Sequence, residues 1–252
     1  LFYALLGKGV SIMQVIPFLL PGIPDERTSL QFLLDFLSHP NFPFVEVGLP
    51  SRNPYLDGAV IRTAHRKLRE SGFGFGRVLR LLEEQVRDRD TRKIILMGYL
   101  HDLEEFGVIE FQRHIDALGP GGLILVGPHE KVLALRDRLA VPLVPLVTVR
   151  STAKTLLPFL GERPPFIYFR VSTKRTGEGD SPPLPLIRRA LNTVREMFPG
   201  LPVFAGFGIG DRKKASLLKD LSFSGVVVGS ALLERIMAGH PVRDFLRELE
   251  EL

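Results

Sequence analysis

The chain has 252 residues, 45% hydrophobic and 24% charged, close to ordinary globular averages and unlike a disordered or fibrous polypeptide. It holds no cysteine, which excludes disulfides, thiolate zinc sites, iron–sulfur clusters and cysteine nucleophiles; 33 Lys+Arg against 28 Asp+Glu leave a net charge of +5 without one long basic block. No apolar run approaches the ~18 residues of a membrane span, no secretory pattern opens the sequence and no recognition motif accompanies the charge, so a cytoplasmic protein with neither membrane nor nucleic acid as partner is expected.

Taken in chain order, the first short apolar run is 14–20, followed by the turn Pro21-Gly22-Ile23-Pro24-Asp25 with Asp25 placed to cap a helix. Leu30, Leu33, Leu34 and Leu37 then repeat at helical spacing. A second run, 44–49, contains a single acidic residue, and Val78, Leu79, Leu81 and Leu82 mark a further amphipathic helix before the third run, 93–99. The remaining runs are 122–126, 141–147, 166–171, 202–206 and 225–229. Strands buried on both faces that alternate with helices predict a parallel sheet with crossover helices. Eight of them, in a chain near the ~250 residues typical of the fold, favour a closed (β/α)₈ TIM barrel over an open doubly wound sheet, which would carry a glycine-rich loop after its first strand. No linker divides the chain, since the proline-rich stretch 181–185 is too short to be one, and 1–252 is expected to form one domain.

Chemistry in such a barrel sits at the C-terminal ends of the strands. Strand seven runs into Gly206-Phe207-Gly208-Ile209-Gly210 and strand eight into Gly229-Ser230-Ala231, where glycines admit backbone N–H groups to an anion and the following helix N-termini favour negative charge. Two such loops side by side predict a phosphate site. Thr176-Gly177-Glu178-Gly179 after strand six reads either as a surface loop or as a flap that joins the phosphate cradle. Glu46 stands inside the apolar second run, where burial would raise its pKa and suit it to proton transfer; the plainer reading is a glutamate that reaches the rim or pairs with an arginine. Asp57, eleven residues on, precedes a helix beginning near Ala59 and, on this segment alone, reads more readily as its plain N-cap than as a functional acid.

The segment from Glu46 through Gly48, Pro50, Pro54 and Asp57 to Gly58 resembles that of the tryptophan synthase α subunit family, in which a strand-two glutamate is followed by an aspartate at this spacing. Pro17-Phe18, Leu96-Met97-Gly98-Tyr99, Tyr168, Thr176-Gly177, Gly206-Phe207-Gly208-Ile209 and Gly229-Ser230-Ala231 extend the resemblance through nearly the whole chain. It implies cleavage of indole-3-glycerol phosphate to indole and glyceraldehyde 3-phosphate by acid–base retro-aldol chemistry, without metal or organic cofactor, in partnership with a β subunit. By the same resemblance Glu46 is the acid–base group, Asp57 holds the indole N–H and Tyr168 positions Glu46. Phe18, Tyr99, Thr176 and Phe207 line the substrate pocket, and Gly177, Gly208, Gly229 and Ser230 bind the phosphate.

Several positions depart from the family pattern. Asn53 replaces an aspartate in the loop that normally meets the β subunit, residues 126–129 replace an aspartate- and proline-bearing turn, Lys174-Arg175 alter the flap, and Arg170 occupies an apolar strand position. With Arg52 and Arg150 these make five added cations near the mouth, which read either as a solvated rim or as a sign of an Arg170–Glu46 pair or a pocket for a more anionic ligand. A regulatory phosphate-binding relative with little chemistry, and an aldolase or lyase for another phosphorylated substrate, are the alternative functions.

Overall fold

A computed structural model of the chain describes residues 13–160, 163–172, 182–206, 216, 218 and 220–251. Its strands are β1 (Gln14–Leu19), β2 (Val45–Gly48), β3 (Ile94–Tyr99), β4 (Gly122–Val126), β5 (Leu146–Thr148), β6 (Ile167–Arg170), β7 (Val203–Gly206) and β8 (Gly225–Val228). All pair in parallel, in the order β4-β3-β2-β1-β8-β7-β6-β5. The described helices are α1 (Glu26–Ser38), α2 (Ala59–Glu70), α3 (Phe75–Gln85), α4 (Leu100–Phe106), α5 (Val108–Leu118), α6 (His129–Arg136), α7 (Ala153–Leu156), α8 (Leu184–Met197), α9 (Ser230–Met237) and α10 (Val242–Glu250).

The eight-stranded barrel expected from the apolar runs is therefore present, and the one run that behaves differently is the one that closes it. Residues 141–147 were expected as a single strand, yet β5 proper begins at Leu146. Pro142 and Pro145 lack N–H groups and break the ladder, so the run divides its bonding between two neighbours. Val144 N–H donates to the Leu123 carbonyl and Leu123 N–H to the Pro142 carbonyl, each at 2.9 Å, while Tyr168 N–H donates to the Pro145 carbonyl at 3.0 Å. A bridge between Leu123 and Leu143 thus joins β4 to the chain leading into β5.

Two apolar layers follow from the period of two along each strand. Outward residues such as Val45, Val47, Leu96 and Phe169 pack against the helices. Inward residues such as Ile16, Ile95, Phe166 and Phe204 fill the barrel. Toward the N-terminal end of the strands Phe44, Phe166 and Phe204 interlock, with centroids 5.2 Å apart for Phe44–Phe166 and for Phe166–Phe204. That aromatic plug leaves polar side chains only the opposite end.

Helix ends and faces match the sequence. Asp25 caps α1, its carboxylate accepting from Thr28 N–H at 2.8 Å. Val78, Leu79, Leu81 and Leu82 are all buried on α3. Lys93, expected at the head of the third strand, instead ends a 3₁₀ turn and donates to the Leu37 and His39 carbonyls at 2.9 and 3.0 Å, where the end of α1 leaves acceptors open.

Candidate active site

Glu46 lies on the same face of β2 as Phe44, while Val45 and Val47 face the helices, so strand alternation alone points its carboxyl into the barrel. Register sets it beside Phe18 on β1 and Ile95 on β3. It is 5% exposed. Burial first, and the negative charge of Asp57 second, raise its pKa to about 8, so the carboxyl is largely protonated at neutral pH. The reading in which Glu46 reaches out to solvent at the rim is thereby corrected, because the side chain is buried.

Asp57 is held differently. Gly58, rather than Asp57, is the N-cap of α2 and offers no side chain to it, so the carboxylate is released from capping. It is 4% exposed and receives the Tyr99 hydroxyl on Oδ2 at 2.7 Å. That hydroxyl in turn accepts the Leu56 N–H at 3.3 Å. Tyr99, expected to line a substrate pocket, therefore also anchors an acid. Burial and the charge of Asp57 push its phenol pKa up, which keeps it a neutral donor.

Tyr168 feels the charge of both acids. Its phenol pKa is raised by burial and then by the charges of Glu46 and Asp57, and its ring crosses the end of β7 so closely that a Cβ on Gly206 would stand 2.2 Å from the hydroxyl oxygen. Phe18 closes the β1 side: a Cβ on Gly48 would lie 2.8 Å from its Cζ. Glu46, Asp57, Tyr99, Tyr168 and Phe18 thus converge at the C-terminal mouth.

The added cations do not act together. Arg170, one inward position beyond Tyr168 on β6, is half-buried; burial lowers its pKa, and Tyr168, Tyr99 and Asp57 are among the groups that act on it in the opposite sense. On the Glu46 side burial and the charge of Asp57 set the shift and no cation enters, so the expected Arg170–Glu46 pair does not form, while Asp57 is among the groups that feel Arg170. Arg52 turns outward to α4, where it pairs with Glu105 and approaches Asp102 at 4.0 Å. Arg150 is exposed, and Lys174 and Arg175 lie outside the described residues.

Four polar residues around the β2 loop were not singled out in the sequence. His65 is 2% exposed on the apolar face of α2 and accepts Ser51 N–H on Nδ1 at 3.1 Å. Its register with Ile61, Ala64 and Leu68 was the signal that could have found it. Asp102 accepts Arg52 N–H at 3.2 Å and pins the loop to α4. Ser51, His101 and Asp102 look like a nucleophilic triad, but Ser51 Oγ at 3.5 Å and Asp102 Oδ2 at 3.1 Å both approach the same ring nitrogen, Nε2. A relay needs one partner on each nitrogen, so the arrangement is not hydrolytic. Among the described residues no three His, Asp or Glu side chains gather as a metal site.

At β8, Gly229 precedes α9 and Ser230 opens it. Ser230 Oγ is buried and has no hydrogen-bond partner among the described residues, and a Cβ on Gly229 would stand 3.8 Å from Phe18 Cβ, placing this helix N-terminus beside the same mouth.

A family model described as tryptophan synthase alpha chain matches residues 9–251. The chain belongs to the tryptophan synthase α chain family. Its relatives include the tryptophan synthase α chain of Maridesulfovibrio salexigens, 31% identical over 96% of this chain and 94% of that one. That of Carboxydothermus hydrogenoformans is 33% identical over 88% of this chain and 83% of its own length. Among solved structures, a chain of the tryptophan synthase of Mycobacterium tuberculosis superposes with a TM-score of 0.78 at 26% identity, over 96% of this chain and 92% of that one. Of the site residues that the resemblance to the tryptophan synthase α family implies, Thr176, Gly177, Phe207 and Gly208 lie outside the described residues.

Proposed function

We propose that the protein is a carbon–carbon lyase of tryptophan biosynthesis that cleaves indole-3-glycerol phosphate to indole and glyceraldehyde 3-phosphate. Membership of the tryptophan synthase α chain family supports the activity, and the observation that carries the chemistry is a buried Glu46 whose carboxyl keeps its proton up to about pH 8.

Cleavage requires a proton to be added at indole C3 and another to be removed from the hydroxyl on the adjoining carbon. The C3–carbon bond then breaks toward the ring and the hydroxyl carbon becomes an aldehyde. A protonated Glu46 supplies the first proton and, once ionised, accepts the second, so one residue balances both transfers. Protonation at C3 makes the ring N–H acidic. Asp57, held by Tyr99, receives that N–H in a charge-assisted hydrogen bond that strengthens as positive charge grows on the ring. Tyr168 orients Glu46, Phe18 packs the ring, and Gly229 and Ser230 at the α9 N-terminus take the phosphate together with Gly177 and Gly208, while Thr176 and Phe207 complete the pocket. No step calls for a metal or organic cofactor.

We further propose that one barrel domain carries the whole site, that it works in the cytoplasm and that it delivers indole to a tryptophan synthase β subunit. Structural likeness to chains of tryptophan synthases supports the partner. No described helix is long and apolar enough to cross a membrane. The test is indole release from indole-3-glycerol phosphate, measured with and without a β subunit. Glu46→Gln is expected to cut kcat by roughly 10²–10⁴-fold; turnover of another sugar phosphate in place of this one would overturn the substrate.

A further inference from the structure

Behind Asp57 lies a buried histidine that none of these steps uses. His65 sits eight residues further along, on the first turns of α2, and its ring spans the loop that separates the two acids. On one side the Ser51 backbone N–H donates to Nδ1 at 3.1 Å. Nδ1 is therefore the acceptor nitrogen, and in the neutral ring the proton resides on Nε2. On the other side Nε2 is buried, makes no hydrogen bond among the described residues and stands 3.9 Å from Asp57 Oδ2. That is the same oxygen that receives the Tyr99 hydroxyl.

Burial, and secondarily the charge of Arg69, hold the ring pKa down at about 4. At neutral pH the group facing Asp57 is thus an N–H dipole and not a cation. Its distance exceeds a formed N–H···O bond by about 1 Å, so it acts on Oδ2 as a nearby dipole while Tyr99 makes the hydrogen bond. Ser51 follows the strand that carries Glu46 by three residues, so the His65 ring ties the exit of β2 to Asp57 across residues 51–57.

We propose that His65 is a positioning residue for the lyase reaction: its Nε2–H, acting with the Tyr99 hydroxyl on Oδ2, sets the orientation in which Asp57 meets the substrate N–H. This rests on the reading of the site as an indole-glycerol-phosphate lyase, and it extends that reading to a residue outside the substrate pocket.

Two measurements test it. In the unsubstituted protein, long-range proton–nitrogen correlation of the His65 ring at pH 7 is expected to report the Nε2–H tautomer; an Nδ1–H tautomer or an imidazolium overturns the proposal, whatever any variant does. In kinetics, His65→Leu is expected to lower kcat for indole release about tenfold with KM changed less than about twofold, a loss of orientation rather than of binding. His65→Gln, whose amide can accept from Ser51 and donate toward Asp57, is expected to stay within about threefold of the parent. A folded Leu variant with parental kcat, or Gln and Leu equally impaired, overturns it. If the unsubstituted protein releases no indole, the lyase reading has failed; the Asp57 carboxyl carbon resonance then decides the positioning separately, a shift in His65→Leu but not in His65→Gln supporting it and no shift in either refuting it.

Discussion

A carboxyl group taken out of water either finds a cation or keeps its proton, and in this barrel the two acids at the mouth are treated differently. Glu46 keeps its proton, while Asp57 is served by the Tyr99 hydroxyl and faces the half-buried Arg170. Separating the acids in this way turns two like charges into a proton donor and an N–H acceptor. The arrangement depends on Tyr168, whose ring occupies the space a side chain at Gly206 would need. Gly206→Ala is expected to push the ring off β7 and lower kcat by roughly 10–100-fold, read as indole release, with a thermal shift checking that the variant remains folded. Glu46 and Asp57 were legible as candidates because an acid inside an apolar run and an acid at a helix entrance are both conspicuous. Which partner each would take was not legible: strand parity places Arg170 inward, but only the three-dimensional direction of its side chain decides between Glu46 and Asp57. His65 went unremarked because a lone histidine on an apolar helix face looks like core.

At the scale of elements, the loop from β2 to α2 carries most of the chemistry and is tied down repeatedly, by Ser51 to His65, Arg52 to Asp102, and Leu56 and Asp57 to Tyr99. Asp102, buried on α4, links this loop to the element that follows β3. Asp102→Ala removes the acceptor of the part-buried Arg52 N–H and is expected to cost about 0.5–1.5 kcal/mol of stability. Hydrogen exchange at the Arg52 amide should quicken in that variant by more than at amides of β3, whereas equal protection would show that Asp102 does not hold the loop. Apolar runs located the strands well, since burial on both faces leaves an unbroken signature. The exception, 141–147, contained the reason in its two prolines: such a run cannot ladder continuously, and here it closes the barrel by bonding to β4 first and β6 second.

For the whole molecule, Glu46 and His65, two of the buried titratable groups, act on stability in opposite senses. Glu46 in the folded state holds its proton up to about pH 8, against an ordinary value of 4.5 in the open chain, so between those values the folded state binds more protons and stability falls as pH rises. His65 is neutral down to about pH 4 when folded, against 6.5 when exposed, so between those values the unfolded state binds more protons and stability rises with pH. The two slopes offset each other from about 4.5 to 6.5, and from about 6.5 to 8 that of Glu46 stands alone. Urea midpoints are therefore expected to drop across the upper window in the parent and to lose that drop in Glu46→Gln; parallel curves for the two would contradict a raised Glu46 pKa. The most direct test of the central claim remains the reaction. Indole-3-glycerol phosphate supplied to the purified protein with a β subunit should yield indole, and Glu46→Gln should lower the rate of that release by roughly 10²–10⁴-fold while still binding the substrate. Undiminished indole release by folded Glu46→Gln would contradict the account.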